Sequence, residues 1–280
     1  MVPFLFLCGL AFIFVVWLIA EPWLVARRRA RIRSKPFPAS WRRMLQRRVP
    51  YIAALPADLQ LQLKQHVQVF LAEKPFIACG GLVLTQEMRV VIAAQACLLL
   101  LNRPSSYFPN LRQILVYPGP FVVSRVRADD TGVFQQLREV LSGESWSQGQ
   151  VILSWEDVLD GAAHPADGRN VVVHEFAHQL DQETGHANGA PHLGSPTARK
   201  NWRKTFTEEF ALLQQRAQGS GVQTDPDSVP LLSDYGATNP AEFFAVASEV
   251  FFELPRRMAN EHPSLYEELR RFYCVDPLAW

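Results

Sequence analysis

A chain of 280 residues, 48% hydrophobic and 20% charged, can bury one large core or two modest ones, which excludes a disordered protein. Ten of the 28 Lys and Arg but only one of the 27 Asp and Glu fall in residues 1–50, leaving 18 basic against 26 acidic side chains beyond them. That acidic body has no basic stripe, which excludes a nucleic-acid partner.

Residues 1–20 carry no charge, and an apolar helix of that length, rising ~1.5 Å per residue, matches a hydrocarbon core of ~30 Å. Without a basic start or an A-x-A site the segment predicts an uncleaved anchor over 1–23 rather than a signal peptide, with Trp17 and Trp23 suited to the interface. The cluster Arg27, Arg28, Arg29, Arg31, Arg33 and Lys35 then places the body on the cytoplasmic side of the inner membrane in a single-pass topology. Residues 24–50 read as a basic, proline-punctuated juxtamembrane linker, able to rest on anionic lipid, and 51–280 as the folded domain.

Within that domain, Leu59, Leu63, Val67 and Phe70 recur at helical spacing and predict a helix over 57–73. His66 falls on its polar face and reads as solvated. A second helix is expected over 86–101. Short β-branched runs at 113–117, 121–126 and 151–155 predict strands, the first two split by Pro118, Gly119 and Pro120. Helices flank these strands without regular alternation, so the expected class is α+β, with helices on a small mixed sheet. The scattered cysteines Cys8, Cys79, Cys97 and Cys274 lack CxxC spacing and read as buried free thiols in a reducing compartment.

The chemistry concentrates in VVVHEFAHQL, residues 171–180. His174 and His178 stand four apart and share a helix face, so both can reach one Zn2+. Glu175 lies beside them, placed to take a proton from a water polarised by the metal. The flanks Val171, Val172, Phe176, Ala177 and Leu180 imply burial, where an acid between two histidines is costly without a partner.

A catalytic zinc takes three protein ligands and keeps one open position. The HExxHxxGxxH scheme is excluded, because Thr184 stands where its third histidine would be and Asp181 where its glycine would be. His186 and His192 lie in a Gly- and Pro-rich loop and read as surface residues. The better third ligand is Glu242, in the first turn of an apolar helix that Asn239 can cap and Pro240 can open. Its alternative is an acid stabilised by the helix dipole. Glu249 shares that helix face and can support a ligand histidine, or pair with a base. Asp181 can orient a ligand or pair at the surface. Tyr235 can donate to an oxyanion or simply pack.

These residues resemble the Mlc titration factor A family of bacterial zinc peptidases. The likeness runs from about Leu45 to Trp280 through YPGPFVV at 117–123, GESW at 143–146, VVVHEFAHQLD at 171–181, YGATNPAEFFAVASEVFF at 235–252 and RFYCVDPL at 271–278. The resemblance implies a zincin-like, gluzincin-type site related to the core of anthrax lethal factor, with Glu242 as third ligand and Tyr235 catalytic. It implies a peptide or protein substrate and a partner, a Mlc-like transcriptional repressor of sugar uptake. The expected activity is metal-dependent peptide hydrolysis. The alternative is a non-proteolytic protein that sequesters a repressor.

Overall fold

The centre of the molecule is a helix buried on every side beyond its first turn. From Val90 to Cys97 every residue of α4 (Gln86–Leu98) is inaccessible to solvent, and Thr85 caps its start by accepting from Met88 N at 3.2 Å. The computed structural model describes residues 2–104, 106–128, 134–141, 143–146, 149–219 and 230–280, and side chains within 121–148 and over much of 2–19 lie outside that description.

Three helices precede α4: α1 (Val2–Arg33), α2 (Ala39–Arg48) and α3 (Ala57–Glu73). In α3 the apolar residues Leu59, Leu63, Val67 and Phe70 are buried at the expected spacing and pack on α4. A four-stranded sheet follows, in the order β1 (Phe76–Ala78), β2 (Gln113–Tyr117), β6 (Gln150–Ser154), β5 (Gly143–Trp146). The first three strands are parallel, and β5 closes the edge antiparallel to β6, so the sheet is small and mixed as expected. Between them β3 (Phe121–Ala128) and β4 (Phe134–Leu141) form an antiparallel hairpin of their own. Then come α5 (Trp155–Ala163), α6 (Val171–Asp181), α7 (Pro196–Ala217), α8 (Pro240–Glu253), α9 (Pro255–Glu261) and α10 (Pro263–Tyr273). Helix α6 packs on β5, β6, α4 and α8, which holds it between the sheet and the C-terminal helices. Its Phe176 is fully buried against Phe70 and Phe108, so truncation to alanine would cost about 3–5 kcal/mol.

Several sequence expectations change. Among the described residues no helix is long and apolar enough to cross a membrane, so the fold gives the expected anchor over 1–23 no support. The segment expected as a linker instead holds α2, whose Leu45 is buried and whose neighbour Trp41 packs on the core. The helix expected to reach Leu101 stops at Leu98, because the chain turns through Asn102, which adopts a φ of 55°. Leu99, Leu100 and Leu101 stay buried in that turn, so hydrophobicity gave no sign of the break. The strand expected to include Trp155 ends one residue earlier, since Ser154 accepts from Asp157 N and caps α5. Of the cysteines, Cys97 is buried, Cys79 intermediate and Cys274 exposed.

His66 is not solvated. Its Nδ1 lies 2.9 Å from the Tyr107 hydroxyl, and burial, helped by nearby Arg33, lowers its pKa to about 4. The unfolded chain takes this proton near 6.5 and the folded chain only near 4, so the contribution is complete above pH 6.5 and is lost as pH falls through that window. His66→Gln should therefore reduce the loss of stability between pH 7 and pH 4.5 by at most about 3 kcal/mol, less whatever solvent screens at a half-buried ring. Urea denaturation at both pH values checks this. Identical acid sensitivity in the two proteins would contradict the assignment.

Candidate metal centre

Asn170 starts the helix that carries the two histidines. Its side-chain oxygen accepts from Val173 N at 3.1 Å, which caps α6 in the manner of a short polar residue before an apolar run. From this start His174 and His178 come one above the other on the same face, ring centroids 4.9 Å apart. Glu175 is buried on the same turn, 4% exposed.

Helix α8 supplies the facing wall. Asn239 caps it by accepting from both Ala241 N and Glu242 N, and Pro240 opens it, as the sequence suggested. Glu242 thereby projects from the first turn toward α6. Its Oε2 lies 3.0 Å from His174 Nε2 and 3.3 Å from His178 Nε2. One turn pair later, Glu249 Oε1 accepts from His174 Nδ1 at 2.7 Å, while its Oε2 accepts from Asn170 N at 2.6 Å.

The start of α8 is itself pinned by the loop after α6. Buried Asp181 accepts from Gly189 N at 2.7 Å, and Trp202 Nε1 on α7 donates to Gly189 O at 2.8 Å. Gly189 has a φ of +75°, and a Cβ there would meet Pro240 O at 2.4 Å, so only glycine allows the loop to lie on the residue that opens α8. Asp181 thus acts on the loop backbone, and its burial sets aside the surface pairing that the sequence left open.

Among the described residues, His174, His178 and Glu242 are the group that could hold a metal, their ligand atoms all within 4.8 Å of one another. Bonds of about 2.0–2.1 Å in a tetrahedral site give ligand edges of about 3.3 Å, close to the 3.0 and 3.3 Å found here. The electrostatics agree. Burial opposes a charged His174, yet the charge of Glu249 and the hydrogen bonds to Glu242 and Glu249 outweigh it and hold the imidazole well above its usual value. Burial would likewise raise Glu242, but hydrogen bonds from His174 and His178 keep it well below the usual carboxylate range. A cation at their meeting point would take over from the shared protons.

The family description "glucose-regulated metallo-peptidase M90" matches residues 23–274. The chain belongs to this metallopeptidase family. Mlc titration factor A of Yersinia pestis is 34% identical over 245 residues, covering 86% of each chain, and so is its counterpart in Yersinia pseudotuberculosis. An uncharacterized protein of Synechocystis, slr2042, is 41% identical over 247 residues, 88% of this chain and 87% of that protein. The M90 family assignment gives this candidate cluster its setting, a metallopeptidase.

Tyr235 lies in a short 3-10 turn (Asp234–Ala237) before α8, 53% exposed, its ring centroid 5.9 Å from that of His174. His186 and His192 are exposed in the loop and do not join the cluster. Sequence reasoning missed Asn170 as a structural hub. Its Nδ2 donates to Gln95 Oε1 at 2.8 Å and Glu253 Oε1 at 3.1 Å, while its backbone holds Glu249. The N-cap signal at Asn170 was readable, but nothing marked Gln95 or Glu253 as its partners.

Because Glu249 fixes which nitrogen of His174 carries a proton, Glu249→Gln should weaken metal affinity about 10–100-fold with little change in the fold. Competition against a chromophoric chelator measures it. Wild-type affinity in that variant would remove Glu249 from the site.

Proposed function

We propose that the protein is a zinc-dependent peptidase in which His174, His178 and Glu242 hold the metal, Glu175 is the general base and Tyr235 stabilises the oxyanion. The observation that carries this reading is the meeting of His174 Nε2, His178 Nε2 and a Glu242 oxygen at one point, with buried Glu175 on the same turn. Two imidazoles and a carboxylate form a donor set suited to zinc. Zinc there would polarise a water and make it nucleophilic near neutral pH.

The chain's own residues supply the rest. Glu175 takes the proton from the attacking water and returns it to the leaving amine. The Tyr235 hydroxyl, mounted beside His174 on the turn before α8, donates to the oxygen that gains charge as the carbonyl is attacked. Glu249 keeps His174 Nδ1 protonated, leaving Nε2 free for the metal.

The test is cleavage of a mixed peptide library by purified protein, mapped by the new N-termini formed. Cleavage should stop after chelation and return with zinc; cleavage that survives full metal removal would sink the reading.

A second reading concerns a partner. Relatives covering most of the chain are named for titrating Mlc, so we also propose that a Mlc-like repressor binds this protein. Capture of such a repressor by a Glu175→Gln variant, with a normal transcriptional response in cells, would favour sequestration over proteolysis. For location, the charge-free residues 1–20 and the arginines after them support an inner-membrane anchor with the body facing the cytoplasm. Release of the full chain by carbonate wash would refute it.

A further inference from the structure

Behind the metal helix lies a second cavity of about 170 Å3, walled by the first turn of α6, the end of α8, the 3-10 turn Pro50–Ala54 and the C-terminal residues. It is outside the metal cluster, and Asn170, which lines it, also donates its backbone N–H to Glu249. Besides Asn170, two residues with polar groups stand in a mostly apolar lining. One is Glu253, whose oxygens accept only from neutral donors among the described residues: Gly168 N at 3.1 Å, Arg169 N at 3.0 Å and Asn170 Nδ2 at 3.1 Å. The other is Tyr51, whose hydroxyl is buried beside the Asn170 side chain and finds no partner at full hydrogen-bonding geometry among the described residues.

None of the residues lining the cavity is basic. Burial pushes Glu253 up to about 9, reinforced by the charges of Asp167 and Glu249 and opposed by hydrogen bonds from Asn170 and Arg169 N. With no positive counter-charge beside it the group keeps its proton near neutral pH, and a cation entering the cavity would restore the carboxylate. At the same mouth two aromatic rings, Phe252 and Trp280, stand with centroids 6.0 Å apart. Aromatic faces beside an acid with no counter-charge and a buried hydroxyl form a receptor for a compact organic cation, which gains from the ring quadrupoles, from the carboxylate it draws out and from a hydrogen-bond acceptor together.

We infer that this cavity is a binding site for a small organic ammonium ion, held by Glu253 and the Tyr51 hydroxyl and covered by Phe252 and Trp280. The ammonium donates to both oxygens, and its hydrocarbon part lies on the apolar wall. This site is separate from the peptidase reading and stands or falls without it.

The test uses benzylamine as probe, with benzyl alcohol as its uncharged counterpart, titrated calorimetrically into the full-length metal-loaded protein. Benzylamine should bind saturably and about tenfold or more tighter than the alcohol. Glu253→Gln should erase that preference. Ala54→Phe, which narrows the mouth without touching either polar group, should block both ligands while leaving the melting temperature unchanged. Equal binding of amine and alcohol, no saturable binding, or amine binding that persists in both variants would overturn the proposal. Should Glu253→Gln fail to fold, the Ala54→Phe result decides alone.

Discussion

Glu175→Gln is expected to remove peptide hydrolysis almost completely while leaving the metal in place. General-base catalysis contributes about 10²–10⁴-fold, and an amide keeps the shape of the carboxylate but cannot accept the proton of the attacking water. Glu175 is not part of the group that could hold the metal, so zinc stoichiometry by elemental analysis should stay at one per chain in the variant. The informative pair of measurements is turnover and metal content on the same preparation. Undiminished turnover with full metal would assign the base elsewhere, and lost metal would make Glu175 a structural support.

Glu242→Ala should show the opposite pattern. Removing the carboxylate deletes one of three donors and leaves His174 and His178 alone on α6, so affinity should fall by more than the roughly 10–100-fold that loss of an outer partner costs. Activity should disappear at limiting zinc, and full occupancy after dialysis against a moderate chelator would move the third ligand to another residue. The two variants therefore separate proton transfer from metal retention, which activity assays alone would merge.

Much of this site was readable because its signals are local. Two histidines four apart need only a helix to share a face, and an Asn-Pro pair before an apolar run marks a helix start that puts Glu242 in its first turn. The meeting of the two helices, 64 residues apart, depends on tertiary packing, yet an acid on an apolar helix pointed to it, since such a group needs a partner. What stayed hidden is what acts across the fold. Asp181 serves the backbone of the loop that seats Pro240, and no spacing rule connects residue 181 to residue 189. Asn170 caps α6, and its remaining hydrogen bonds tie Gln95, Glu249 and Glu253 into one network that no spacing announces. The α2 helix was hidden by composition, because its many arginines outweigh the single buried Leu45.

The cluster's division between α6 and α8 would also make a bound ion a clasp. Ligands from positions 174, 178 and 242 join two ends of a long stretch of chain, so whatever binds the native arrangement alone stabilises it by mass action, about 2.7 kcal/mol at a free concentration one hundred times Kd. Most of that stabilisation should appear locally. Without the ion, amide hydrogens in the first turn of α8 and in the loop on Pro240 should exchange with solvent faster than those in the middle of α4, whose protection has no reason to change. Zinc supply would then set how long this part of the molecule stays closed to unfolding and to attack by other peptidases.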